Sequence, residues 1–251
     1  MWALLHYIYF NLGCCMRFGF TKLSVLATCL LSFTQVSQAD FELDLGFASE
    51  YVRSGLKQSG AKPVLQAGAL YSSQLGLYGG VWMSGVERGN QDSTRFELDG
   101  YAGFYYPISP LFAVDLGATR ATFLGDADGS EQAYNEGFFN FLIDDSVTLG
   151  YRLADDYMGS GSELQTIELA YTLNSGSFGF EFSGRQYRYL EISEDVNWGS
   201  KSRDNYFHFR AGVARTYDVH NLSVGLERTN LSGEFDGGTQ LLFTYSRNFK
   251  F

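Results

Sequence analysis

From Phe41 onward the chain alternates apolar and polar residues, as in Phe41-Glu42-Leu43-Asp44-Leu45-Gly46-Phe47, with the acids on one face and the large apolar groups on the other. A period of two residues is the signature of a strand that shows different environments to its two faces. The rhythm recurs in twelve segments, near 41–52, 64–73, 76–86, 95–106, 111–123, 134–143, 146–156, 163–173, 178–190, 205–217, 222–231 and 239–251. Their connections alternate in length. Ser72-Ser73-Gln74, Pro107 to Pro110, Asp144-Asp145, Asn174 to Ser177 and Asp218 to Asn221 are tight turns. Longer polar loops run over Arg53 to Pro63, Glu87 to Thr94, Gly125 to Ala133, Tyr157 to Ser162, Glu191 to Asp204 and Ser232 to Gly238. Outer-membrane barrels pair short periplasmic turns with long external loops and have an even number of strands. The pattern predicts an all-β fold over 40–251, a transmembrane antiparallel up-and-down β-barrel of about 12 strands with both ends on the periplasmic side.

Alternation alone does not say which face lies outside, because a soluble barrel shows it too. The ends of the segments carry the decision. Tyr51, Tyr71, Tyr78, Trp82, Tyr105, Tyr106, Tyr151, Tyr157, Tyr171, Tyr187, Tyr189, Tyr206 and Tyr217 crowd there, as expected of aromatic girdles at two membrane interfaces. Phe243, Tyr245, Phe249 and Phe251 share one face of the last segment, which suits a signal for the barrel-assembly machinery. The expected location is the bacterial outer membrane, with its lipids and lipopolysaccharide as partners. Beyond the first forty residues no apolar run is long enough for a membrane helix.

Those first residues read as a signal peptide, 1–39. Arg17 and Lys22 form its positive flank, Leu23 to Phe33 its apolar run, and Ser37-Gln38-Ala39 the cleavage site before Asp40. The stretch ahead of Met16 reads as an over-extended N-terminus. A lipoprotein signal ending at Cys29 is disfavoured by the bulk of Thr28. Cys14, Cys15 and Cys29 all leave with the leader, so the mature chain has no thiol for catalysis, metal binding or a disulfide. Of 18 Lys and Arg the leader takes two, and of 28 Asp and Glu none, leaving 16 against 28 and a charge of −12. Such an acidic chain lacks the basic footprint of a nucleic-acid binder.

Three stretches of the first half resemble a known family. Ser49-Glu50-Tyr51-Val52-Arg53-Ser54-Gly55-Leu56-Lys57-Gln58 resembles its opening SDYVFRGISQ. Gly76-Leu77-Tyr78-Gly79-Gly80-Val81-Trp82-Met83-Ser84-Gly85-Val86 resembles GFYAGVWASNV, and Phe96-Glu97-Leu98-Asp99-Gly100-Tyr101-Ala102-Gly103-Phe104 resembles EVDLYAGY. In order and spacing the chain resembles the TorF porin family, also known as Gcw_chp. The resemblance implies a porin and names no solute. One position departs: the family's Arg before Gly falls at Ser54, and Arg53 precedes it.

The face opposite the apolar stripe carries the candidate chemistry. Asp115, Arg152, Glu168, Arg185, Arg210 and Glu227 sit near mid-strand, and Glu97, Asp99, Glu136, Glu181 and His208 nearer the strand ends. A charge facing lipid at the midplane costs about 2–4 kcal/mol, so these groups are expected to line a lumen. Two readings stand open: opposed basic and acidic walls that filter small polar or ionic solutes, or ion pairs that fill a closed structural or adhesion barrel. Gly125 to Glu131 looks like a calcium loop but lacks the carboxylate spacing of one, leaving an acidic external loop. A lipid-modifying enzyme would rest on His208, which has no Ser or Asn arranged beside it in Tyr206-Phe207-His208-Phe209-Arg210. No phosphate cradle or metal spacing appears, and no cofactor is expected. Trp198, in the longest external loop beside Glu191, Glu194 and Asp195, is the aromatic whose setting suits partner contact.

Overall fold

The computed structural model describes residues 40–87, 94–125, 132–191, 203–231 and 235–251. The signal peptide, most of the calcium-like loop and Trp198 lie outside them. The strands are β1 (Asp40–Ala48), β2 (Val52–Arg53), β3 (Leu56–Lys57), β4 (Val64–Ser72), β5 (Leu77–Gly85), β6 (Thr94–Pro107) and β7 (Phe112–Gly125), followed by β8 (Tyr134–Ile143), β9 (Val147–Ala154), β10 (Leu164–Ser175), β11 (Phe178–Tyr189), β12 (Asn205–Tyr217), β13 (His220–Thr229) and β14 (Thr239–Lys250). One 3-10 turn (Tyr157–Gly159) follows β9.

Twelve of these strands close into an antiparallel barrel in sequence order from β4 to β14, with β1 bridging the seam between β14 and β4. Closure leaves no strand edge, so backbone groups within the ladder bond to a neighbouring strand, the condition for crossing hydrocarbon. The tight connections predicted between strands are tight turns. Between β8 and β9, Asp144 and Asp145 both take φ of +51°, and Ser146 N donates to Ile143 O at 3.1 Å. That is a type I′ turn, whose twist matches the hairpin, and Asp tolerates the left-handed conformation better than most residues.

The strands turn most of their large aliphatic residues outward. Leu45, Leu65, Val81, Leu116, Phe139, Ile167, Leu169, Phe182, Phe209, Leu226 and Phe243 are all exposed, on neighbouring strands around the circumference. In water such a surface would be an aggregation patch many times the usual size. In lipid it is the solvated face, and the fold is an outer-membrane barrel. Six arginines, Arg95, Arg120, Arg188, Arg215, Arg228 and Arg247, are the charged residues on the outward parity of the described barrel strands, near strand ends where headgroups lie. Arg215 stacks on Phe178 at 5.3 Å and Arg247 on Phe249 at 4.8 Å.

The aromatic residues divide differently from the prediction. Tyr71, Tyr106, Tyr151, Tyr171 and Tyr217 do face outward, but Tyr51, Tyr78, Trp82, Tyr105, Tyr157, Tyr187, Tyr189 and Tyr206 are buried inside the barrel. Strand parity is the reason: Tyr187 and Tyr189 share a face with Arg185, and Tyr206 with His208. Two large interior clusters result, with a smaller third of Tyr51, Trp82 and Val86. At the loop end Ala121, Phe123, Tyr134, Ala154, Tyr157, Leu164, Tyr187, Tyr189, Tyr206 and Leu231 pack together. Toward the turn end Leu70, Tyr78, Tyr105, Ala113, Phe138 and Leu142 fill the β4–β8 side.

The outward face sets a direct test. Leu169, 57% exposed at the middle of β10, is replaced by Arg. Folding titrations into phosphatidylcholine vesicles are expected to show a loss of about 2–4 kcal/mol. A change below about 0.5 kcal/mol would mean that this face does not meet hydrocarbon.

Candidate functional site

Between the two aromatic clusters the inward faces carry a belt of ionisable groups, paired across neighbouring strands. Glu168 on β10 lies directly opposite Arg185 on β11, and Arg185 Nη2 donates to Glu168 Oε1 at 2.7 Å. Arg210 on β12 lies opposite Glu227 on β13, bonds to it, and reaches diagonally to Glu181 at 3.0 Å. Arg152 on β9 reaches Glu136 on β8 at 3.2 Å. Cross-strand neighbours are within side-chain reach, so the register itself places these pairs. His208 Nε2 meets Glu227 Oε2 at 3.1 Å, while its Nδ1 has no hydrogen-bond partner. Asp115 accepts from Tyr78 Oη at 2.6 Å and from Asn140 Nδ2 at 3.1 Å.

Arg210 has a prepared bed. A Cβ on Gly225 would come within 3.1 Å of its guanidinium, and one on Gly212 within 3.8 Å. Around it, toward the turn end, the inward positions of β11–β14 are small: Gly179, Gly212, Ala214, Ser223, Gly225, Thr244 and Ser246. Most of these are partly exposed, so small side chains line this side of the lumen toward the turns, below Arg210 and Glu181.

The loop end is closed by a segment predicted to be an external loop. Strand β1 stops at Ala48, short of the expected Val52, and the chain then turns into the barrel as the β2–β3 hairpin. Its tip, Ser54-Gly55, has φ of +54° and +78°, the two left-handed residues of a type I′ turn. Tyr206 Oη donates to Ser54 O at 3.0 Å, Tyr157 Oη to Ser54 Oγ at 2.8 Å, and Gln240 Nε2 to Gly55 O at 3.4 Å. Only glycine fits at the tip, since a Cβ on Gly55 would lie 2.5 Å from Thr229 Cγ2 and 2.8 Å from His208 Cγ. Arg53 anchors the stem: its guanidinium pairs with Glu97 and, at 3.0 Å, with Asp99, both fully buried on β6. It also lies 5.4 Å over the Tyr134 ring. Tyr51 packs on Trp82 at 5.3 Å where the hairpin leaves the wall.

All eleven residues expected on the lumen face point inward: Glu97, Asp99, Asp115, Glu136, Arg152, Glu168, Glu181, Arg185, His208, Arg210 and Glu227. They form no single constellation. Glu97 and Asp99 are drawn to the hairpin, Asp115 to a Tyr–Asn pair, and the remainder to ion pairs along β8–β13. The sequence reading missed Arg53, Glu42, Asp44, Tyr78 and Asn140. The last four share parity with known lumen positions and were legible on that ground. Arg53 was not, because it lies outside the barrel rhythm.

The hairpin makes a prediction independent of any transport assay. Gly55→Ala is expected to dislodge the tip, and external trypsin should then cut the folded barrel after Arg53 or Lys57 at least about tenfold faster than wild type, the change that a local opening costing about 1.4 kcal/mol less would give. An unchanged cleavage rate would mean that the tip tolerates the added methyl group in place.

Comparison with solved structures returns porins. The chain resembles a NanC porin with a TM-score of 0.55 at 10% identity, over 84% of this chain and 100% of that one. A KdgM porin solved in complex with disordered oligogalacturonate gives a TM-score of 0.49 at 6% identity, over 84% and 98%. An outer membrane channel from Pseudomonas putida F1 gives 0.42 at 12%, over 84% and 95%. Comparison with curated proteins gives no match. The family model described as "Bacterial protein of unknown function (Gcw_chp)" matches residues 33–230, a span holding all three stretches that carry the resemblance. The chain is a member of the Gcw_chp family.

Proposed function

We propose that the protein is an outer-membrane channel that passes small polar or ionic solutes through a narrow charged lumen. The TorF name, with the porin activity it implies, is part of this reading. The observation that carries it is the run of ionisable side chains from Glu97 and Asp99 at the loop end to Arg210 and Glu181, opening onto the small-residue wall of β11–β14. An interior that needed only filling would place large apolar side chains at Ala214, Ser223 and Ser246, which are small and partly exposed. Twelve strands also enclose more space than the side-chain-filled barrels of eight. Conduction on this reading requires the β2–β3 hairpin to withdraw, since its tip is tied to Tyr157, Tyr206 and Gln240.

The infolded hairpin, the inward ion pairs and the packed interior clusters are the observations favouring a closed structural or adhesion barrel. The lipid-enzyme reading has less support: His208 is 3% exposed on the lumen side, turned away from any lipid substrate, and its recorded side-chain hydrogen bond goes to Glu227. Outward Arg95, Arg120, Arg188 and Arg228 near the loop end suit the phosphates of lipopolysaccharide, and Phe251 a contact with the assembly machinery.

Planar bilayers decide between channel and closed barrel. Wild type is expected to show rare discrete conductance steps, and a variant lacking Tyr51–Gln58 frequent ones. Arg210→Ala should move the reversal potential in a salt gradient toward that of the cation, because Glu181 and Glu227 lose their shared counter-ion. Silence from both wild type and the deletion variant at every voltage would leave only the closed barrel.

A further inference from the structure

We propose that Glu97, Asp99 and Tyr134 form a binding site for a guanidinium-bearing cation, which the protein's own Arg53 fills in this state. A free guanidinium solute would then compete with the hairpin for the lumen. This deepens the channel reading and rests on it for the transport consequence, though not for the binding itself.

The site is built for more than a tether. One guanidinium nitrogen, Arg53 Nη1, serves two carboxylates that are both 0% exposed. Asp99 Oδ1 and Glu97 Oε2 have no hydrogen-bond partner. Burying a second carboxylate is strongly unfavourable, and holding a hairpin needs only one. The surplus acceptors match a planar group with five donors, of which a tethered arginine presents few in the right direction. Tyr134, itself buried, offers its ring to the cation at 5.4 Å, a contact that favours a flat organic cation over a hydrated metal ion.

Charge across the lumen points the same way. Glu42 and Asp44 on β1, Glu97 and Asp99 on β6 and Asp115 on β7 all face inward, with Arg53 paired to Glu97 and Asp99 and Lys250 to Glu42. On β8–β13 acids and arginines are nearly balanced. When the hairpin leaves, Glu97 and Asp99 lose their cation, so the open state gains more from an incoming one than the closed state does. A cation that binds the open form better shifts the population toward it. The hairpin itself is short, with two residues in each strand, and a two-stranded unit of that size is marginal without its docking contacts.

The test uses the mature barrel in detergent, with folding checked by the mobility difference between boiled and unboiled samples. Guanidinium chloride is titrated by calorimetry against potassium chloride at equal ionic strength. Arg53→Ala is expected to bind guanidinium and not potassium. Arg53→Ala combined with Glu97→Gln and Asp99→Asn should bind at least about tenfold more weakly, as expected of a site that has lost its buried counter-charges. Absence of binding to Arg53→Ala, or equal binding to the triple variant, overturns the site. In the otherwise wild-type barrel, Ser54→Cys reports the hairpin through labelling by a bulky maleimide, and guanidinium should speed labelling several-fold while potassium leaves it unchanged. An unaltered rate overturns the competition, and this arm decides the matter if Arg53→Ala does not fold. Neither readout needs conductance. Binding with a silent bilayer would therefore refute the channel alone, and conductance without binding would refute the guanidinium site alone.

Discussion

Hydrocarbon offers nothing to an amide N–H or a carbonyl, and that single deprivation governs this molecule. Every backbone group at membrane depth must find its partner within the protein, which for strands means a ladder with no edge. The seam where β1 meets β14, from Glu42 opposite Lys250 to Ala48 opposite Thr244, supplies the last of those bonds. Once the ladder is closed, the two-residue period has only two destinations for a side chain. Most leucines and phenylalanines take the lipid. Whatever remains is confined inside.

Confinement explains the pairing inside. An acid or arginine on the inner wall has lost most of its water, and removing one partner of such a pair leaves the other stranded at a cost of about 3–5 kcal/mol. Antiparallel register answers this by setting Glu168 opposite Arg185 and Glu227 opposite Arg210. The hairpin answers it a second time, bringing Arg53 to the two acids of β6 from outside the wall. The result is a sorting of charge by side. The acids of the described barrel strands all face inward, while six arginines occupy the outer rims, where an anionic membrane surface meets them.

The fold was legible in the sequence because period and loop length are local properties. The Asp144-Asp145 turn, the alternation of β1 and the inward parity of Arg185 and Glu227 can each be read from a dozen residues. The site was legible only in part. Parity told that Arg210 faces inward but not that Gly212 and Gly225 lay a bed for it, which depends on strands that meet through register. The place of Tyr187 and Tyr206 near strand ends points to interface anchors, although their parity with Arg185 and His208 puts them inside. The hairpin was hidden for a different reason. Ser54-Gly55 carries the chemistry of a tight turn, but its partners Tyr157, Tyr206 and Gln240 lie about 100 to 190 residues away in the chain, beyond any local pattern.

The seam between the first and last barrel strands has a consequence for how the molecule comes into being. Strands β4 to β14 each neighbour the next in the chain, whereas β1 pairs with both β4 and β14, so any sheet that lacks β14 leaves one flank of β1 bare. Such a sheet exposes two unsatisfied borders and an apolar exterior, the combination most prone to sticking to other chains. A partly made barrel thus has no resting place in either water or lipid, and completion is close to all-or-none. The contact that removes the last borders is therefore the one between β1 and β14, strands separated by almost the whole length of the barrel sequence.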